Sequence, residues 1–164
     1  MTTTITTSKA SKKGQQVDTR HVDQLIRNYK KERWIQNTQR LGKADSLSAW
    51  YGMEELQSFL QLAKENQADG IKMYFGVYPD DFAEVPEFRG RQTIVLVATK
   101  EKLNEKGKTV NKDIYIQNEG KPEILAFNFS SLCPPSCPPN DTLDTYPETI
   151  GITILKNNNQ MIVI

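Results

Sequence analysis

Residues 46–79 read SLSAWYGMEELQSFLQLAKENQADGIKMYFGVYP, and residues 89–100 read RGRQTIVLVATK. In the first stretch, apolar side chains recur at steps of three and four residues, which is the period of a helix with one buried face. They are Met53, Leu56, Phe59, Leu60 and Ala63. Gly70 ends this pattern, because glycine adopts the positive φ of a helix C-terminus without strain. The stretch therefore predicts an amphipathic helix that leads into β structure.

Two strands are predicted after this helix. Residues 71–78 alternate between an apolar set on one face and a mixed set on the other, which is the pattern of a half-covered strand. The apolar set is Ile71, Met73, Phe75 and Val77, and the mixed set is Lys72, Tyr74, Gly76 and Tyr78. Residues 93–98 (TIVLVA) form an unbroken apolar run, which is typical of a strand covered on both faces. We expect this run at the centre of the sheet.

The order of the elements predicts an α+β fold. Asp18 is a candidate N-cap for a first helix that reaches Trp34. Further strands are expected at 114–117, at 124–129 and in a C-terminal hairpin. Because the helices precede the strands, we expect one mainly antiparallel sheet with two N-terminal helices packed on one face. That sheet is predicted to contain residues 71–78, 92–99, 114–117 and the C-terminal strands.

Length and composition indicate one domain. A chain of 164 residues can bury one real core but not two. Residues 1–17 hold almost nothing to bury and are predicted to be a flexible tail, so the α+β domain is expected to span residues 18–164. With 25% charged residues and neither an apolar stretch of membrane-spanning length nor a signal-like N-terminus, the sequence favours a soluble cytoplasmic protein without membrane contact.

Charge does not favour nucleic acid as a partner. The first forty residues hold nine Lys or Arg against three Asp or Glu, which invites that hypothesis. However, they lack the arginine-rich runs and interleaved aromatic residues that stack on bases. A solvated helix face and a tail explain the charge better.

The common catalytic motifs are missing from the sequence. It contains no P-loop, no G-x-G-x-x-G, no G-x-S-x-G and no H-E-x-x-H. His21 is the only histidine, and its place at the start of the first helix favours a solvent-facing or capping role over that of a catalytic base. We therefore predict no catalytic residue and no cofactor.

The segment CPPSCPP (133–139) is the most unusual run. In an extended, proline-stiffened chain, Cys133 and Cys137 would lie about 12 Å apart, too far for a disulfide unless the chain turns at Ser136. A rigid loop with two reduced thiols is the preferred interpretation, and a disulfide or redox pair is the second. Metal binding ranks third, because no second pair of ligands completes a zinc site.

The long connection over residues 79–91 (PDDFAEVPEFRGR) offers a candidate ligand site. Its carboxylates lack the spacing of a calcium loop, and a solvated hairpin loop with internal ion pairs is the preferred interpretation. The alternative is a site for an anionic small molecule or a peptide carboxylate. That site would use Tyr74, Tyr78, Arg89 and Arg91. Trp50 and Tyr51 are expected to pack over the core, with the walls of an aromatic pocket as their alternative role.

The segments GIKMYFGVYP, TIVLV and CPPSC together support a resemblance. The chain resembles small uncharacterised bacterial proteins that share a helix, a G-I-[KR]-x-Y-[FY]-G strand, a T-L-V-x-V strand and a late C-P-P-x-C run. The resemblance spans roughly residues 18–137 and departs from the pattern in its cysteine spacing and its C-terminal hairpin. Because no activity is established for that group, the resemblance supports the order of the elements and implies no mechanism.

Two functions remain open on the sequence alone. The first is a non-enzymatic binding or assembly module of a bacterial cell, whose partner is an unknown protein or a second copy of the chain. The apolar C-terminus and the aromatic strand face of Tyr74 and Tyr78 motivate it. The second is an enzyme or redox protein that uses Cys133 or Cys137.

Overall fold

The computed structural model describes residues 14–137 and, for the backbone alone, residues 154–157 and 160–163. The helices are α1 (Thr19–Tyr29), a π-helical turn (Lys30–Trp34), α2 (Ile35–Leu41), α3 (Met53–Glu65) and a 3₁₀ turn (Pro86–Phe88). The strands are β1 (Ser48–Trp50), β2 (Gly70–Val77), β3 (Gln92–Leu103), β4 (Thr109–Asp113), β5 (Tyr115–Asn118), β6 (Lys121–Ile124), β7 (Ala126–Phe127), β8 (Ser131–Cys133), β9 (Ile154–Asn157) and β10 (Gln160–Val163). The α+β prediction is confirmed. The tail prediction falls mostly outside the described residues.

Strand β3 is the centre of the largest sheet. It pairs antiparallel with β2 along the whole of β2, from Gly70 opposite Thr99 to Val77 opposite Gln92. Its other edge is shared by β7, with Leu96 opposite Phe127, and by β4 farther along the chain. Residues 96–99 are buried, so the prediction that TIVLVA lies at the centre is confirmed.

The strands form several sheets, and the expectation of one continuous sheet is wrong. Strands β5 and β6 form a separate hairpin, because Glu119 and Gly120 adopt positive φ and turn the chain tightly. The N–H of Ile114 donates to the carbonyl of Ala98, which fastens this hairpin to β3. Strands β1 and β8 form another antiparallel pair, and β9 and β10 form the expected C-terminal hairpin.

Most of the buried apolar residues in the described part of the chain form two clusters. In the first, Phe59 and Ala63 of α3 pack with Leu96, Ala98 and Leu125. The predicted apolar face of the helix thus meets the sheet in part, because Met53 and Leu60 are exposed. In the second, Tyr78, Phe88 and Leu132 pack beneath the loop of residues 79–91, with Phe82 against them. This loop is therefore ordered by aromatic packing as well as by its polar groups.

The first helix continues past the predicted end at Trp34. It reaches Leu41, where Gly42 closes it with a φ of 70°. The indole N–H of Trp34 donates to the carbonyl of Asp45 at 2.8 Å, and the carboxylate of Asp45 accepts from the N–H of Gln92 at 2.7 Å. These bonds fasten the helix to the start of β3. None of the helices in the described part of the chain is long and apolar enough to cross a bilayer.

Candidate functional site

The structure uses two of the predicted ligand residues inside the fold. Tyr78 is buried in the second apolar cluster, and its hydroxyl donates to the side-chain oxygen of Asn128 at 2.5 Å. Arg91 is also buried, and its guanidinium group donates to the main-chain carbonyls of Glu87 and Ala44. These contacts brace the loop of residues 79–91 against the segment that follows the first helix.

The other two predicted ligand residues lie at different places. Arg89 is in the same loop, where its Nε donates to the carbonyl of Phe82 at 2.7 Å. Tyr74 lies farther along β2, opposite Val95, with its hydroxyl beside the carboxylate of Asp113. The structure thus gathers three of the four residues around one loop and leaves Tyr74 apart. A ligand site at these four residues stays a prediction.

Cys133 and Cys137 form a disulfide, so the preferred interpretation of two reduced thiols is wrong for this structure. The chain turns at Pro134 and Pro135 instead of running straight, which brings the two Cα atoms to 4.6 Å. The distance of about 12 Å had assumed an extended chain. The N–H of Leu47 donates to the carbonyl of Cys133 at 2.7 Å. The disulfide loop is therefore attached to the segment that leads into β1.

An aromatic groove lies beside this β1–β8 pair. Trp50 is 67% exposed, so the expectation that it packs over the core is wrong. The alternation of β1 turns Ala49 towards the second cluster and Trp50 away from it. Tyr51 does pack against the core, with its hydroxyl donating to the carbonyl of Ile94 at 2.7 Å. Both residues line the groove, whose volume is about 790 Å³.

Phe129 also lines the aromatic groove. It is 62% exposed and has a φ of 67°, a left-handed conformation that costs a bulky residue about 1 to 2 kcal/mol. Its ring centroid lies 6.4 Å from that of Tyr78 and 6.0 Å from that of Phe82. Backbone strain of this kind is often found where a structure presents a side chain to a ligand. The sequence contained no signal for it.

The second exposed surface is the outer edge of β2. In the described part of the chain, β2 ends the strand order of its sheet and has a partner on one side alone. On its apolar face Met73, Phe75 and Val77 are 66%, 81% and 59% exposed. The alternating pattern was interpreted correctly as a strand. However, most side chains on its apolar face are exposed instead of covered.

The backbone of β2 also presents groups along this edge that pair with no other described strand. The N–H of Tyr78 donates to the carbonyl of Arg91, and the carbonyl of Tyr78 accepts from Gly90, so residue 78 faces β3. In an antiparallel pair the backbone groups of successive residues alternate between the two edges. The N–H and C=O groups of residues 71, 73, 75 and 77 therefore point outward, on the same residues that expose apolar side chains.

Within the residues that the structure describes, little protects this edge against pairing. Natural edge strands are often blunted by proline, by bulges or by charged side chains, and β2 contains one charged residue, Lys72. Its side chain lies on the opposite face, 2.7 Å from the carboxylate of Asp113. The hydrogen bond to Asp113 raises the pKa of Lys72, so the ammonium group stays charged and held at this partner.

Comparisons with known proteins give no relative from which a function could be transferred. No family model matches the chain. No curated protein and no solved structure matches it either. The resemblance to small bacterial proteins therefore stays a prediction.

Proposed function

We propose that this protein is a non-enzymatic assembly module in which the edge of β2 pairs with β2 of a second copy of the chain. The observation that carries the proposal is the unprotected edge, where outward backbone groups coincide with exposed Met73, Phe75 and Val77. Strand addition satisfies such backbone groups and covers the alternate side chains at the same time. A bacterial origin and a cytoplasmic location stay predictions.

A second copy suits this edge because the sequence of β2 is self-complementary. An antiparallel two-fold pairing centred on Tyr74 sets each outward residue against another outward residue, as hydrogen bonding requires. Met73 then faces Phe75 of the other copy, and Lys72 faces Gly76, so no like charges are opposed. The two Tyr74 rings meet as a cross-strand aromatic pair, a favourable combination.

The size of the contact implies a weak dimer. Eight residues at about 3.4 Å each make a strand about 27 Å long, so a strand pair with its side chains lies at the small end of specific interfaces. We therefore expect a dissociation constant that is micromolar or weaker, with exchange between monomer and dimer.

Sedimentation velocity over a wide range of protein concentration tests the proposal. The wild type is expected to shift from monomer to dimer, whereas Phe75→Lys is expected to remain monomeric, because a charge at the centre of the pairing would be desolvated. The matched control is Tyr115→Lys on β5, which is also exposed at 63% but lies on another sheet. It is expected to dimerise like the wild type.

Two results would contradict the proposal. A wild type that stays monomeric at millimolar concentration would show that β2 does not pair with a second copy of the chain. Dimerisation that Phe75→Lys leaves intact would place the interface elsewhere. Because Phe75 contributes little to the core, Phe75→Lys should change stability by less than about 0.5 kcal/mol, so unfolding does not confuse the result.

A redox function remains the second candidate, and the disulfide between Cys133 and Cys137 is the observation that favours it. Structural disulfides are rare in the cytosol, where those present are usually catalytic or redox-sensing. A redox role predicts that the protein accelerates the reduction of insulin by dithiothreitol and that Cys133→Ser abolishes this activity. If insulin is reduced no faster than by dithiothreitol alone, the redox role is contradicted. The disulfide between Cys133 and Cys137 would then be a structural link between its loop and β1.

A further inference from the structure

The aromatic groove differs in character from the β2 edge. Its lining includes Trp50 and Phe129, both mostly exposed, and Tyr51 and Phe127, whose ring centroids lie 5.6 Å apart. Its volume of about 790 Å³ lies within the usual range for small-molecule sites. Large aromatic rings left in water gain free energy when a ligand covers them.

The charge of the groove selects the ligand. Among the described residues, Glu55 is its one charged lining residue, so they present a carboxylate to the groove and no ammonium or guanidinium group. The Glu55 carboxylate is held in place because its Oε2 accepts from the N–H of Gly52 at 2.7 Å. Asn128 is already committed to Tyr78, Thr93 and Ile94. An anionic ligand would therefore meet like charge.

We propose that this groove binds a small organic cation, of the trimethylammonium class, against the aromatic rings that line it, Trp50 and Phe129 among them, and near Glu55. The faces of aromatic rings carry negative potential and attract cations, most strongly at tryptophan. A methylated ammonium group carries its charge on an apolar surface, so it also covers the rings. This inference rests on residues outside β2 and is independent of the proposed assembly.

Choline and its uncharged isostere 3,3-dimethylbutan-1-ol provide the first test. The two molecules have nearly the same shape. Isothermal titration calorimetry at constant ionic strength therefore isolates the contribution of the charge to the affinity. Choline is expected to bind with a dissociation constant at least about fivefold lower than that of the isostere. Equal affinities, or no binding of choline up to 50 mM added ligand, would overturn the proposal.

Two glutamates in the same helical turn provide the matched variants. Glu55→Gln removes the charge but keeps an oxygen that accepts from the N–H of Gly52, since glutamine also completes a capping box. It is expected to weaken choline binding at least about threefold. Glu54→Gln removes the same charge from an exposed position outside the groove and is expected to bind choline like the wild type. Equal weakening in both variants would mean general electrostatics instead of a site.

Substitutions of the rings complete the test. Trp50→Ala is expected to weaken choline binding at least about fivefold, and Trp50→Phe, which keeps a ring, is expected to bind with intermediate affinity. Because Trp50 is largely exposed, its loss should leave the unfolding transition in place. Choline binding that Trp50→Ala leaves unchanged would overturn the proposal.

Discussion

Strands β2 and β3 are neighbours with similar apolar sequences, yet they end in opposite environments. Leu96 in β3 is 3% exposed, whereas Met73, directly opposite it in β2, is two-thirds exposed. Strand β3 is covered because it has strands on both edges and α3 over its Leu96 face. Strand β2 has neighbours on one edge alone among the described residues. A hydrophobic pattern thus identifies a strand and its apolar face, but it does not say whether the same chain covers that face.

The largest expected difference between the two strands is in the cost of truncating a side chain. Leu96→Ala should lower the free energy of unfolding by about 2 to 5 kcal/mol, because it leaves a cavity in the core. Met73→Ala should cost less than about 1 kcal/mol, because the methionine is already largely in water. Urea unfolding of both variants at low protein concentration measures the pair. Equal losses would mean that β2 is as buried as β3.

Proline at successive positions of β2 separates its two edges. Tyr74→Pro removes an N–H that faces β3 and leaves an acceptor of β3 unpaired, whereas Phe75→Pro removes an outward N–H. We expect Tyr74→Pro to be less stable than Phe75→Pro by about 1 to 3 kcal/mol in thermal or urea unfolding. The opposite order would show that the backbone alternation of β2 has been assigned the wrong way round.

The sequence predicted elements that depend on local patterns. The helix of residues 53–65 and the strand centred on Leu96 were found because their apolar periodicity extends over many residues. The hairpin of β3 and β4 was missed, because its lysine- and asparagine-rich sequence carries little hydrophobic pattern. Its turn contains Gly107 at positive φ, a signal that the sequence did offer.

The two candidate surfaces were predictable in part. Trp50 and Tyr51 were recognised as possible pocket walls, but Phe129, which lines the same groove, was not, because no local pattern predicts its left-handed backbone. Arg91 was a candidate ligand residue in the alternative interpretation because arginine forks suit anions, yet the main-chain carbonyls of Glu87 and the distant Ala44 use its donors. Whether internal carbonyls or an external ligand use the donors of an arginine depends on tertiary structure.

The smallest expected effect is a loss of folding stability at alkaline pH. It arises at Tyr51, which contacts β3 on the side away from β2. Burial raises the pKa of Tyr51 above its ordinary value of 10.0. Above that pH the unfolded chain loses this proton while the folded protein retains it, so stability is full below pH 10.0 and falls as pH rises through the folded pKa. The Tyr51→Phe variant should show a shallower alkaline loss in urea unfolding. An unchanged slope would mean that Tyr51 ionises equally in both states.

Residue-resolved amide hydrogen exchange, measured at low and at high protein concentration, tests the central claim most directly. In the monomer, the outward amides of Met73 and Phe75 should exchange fast, while those of Lys72, Tyr74 and Gly76 are protected by their bonds to β3. At high concentration the outward amides should become protected as a second β2 pairs with them. Outward amides that are already protected in the monomer, or that stay unprotected at every concentration, would contradict the account.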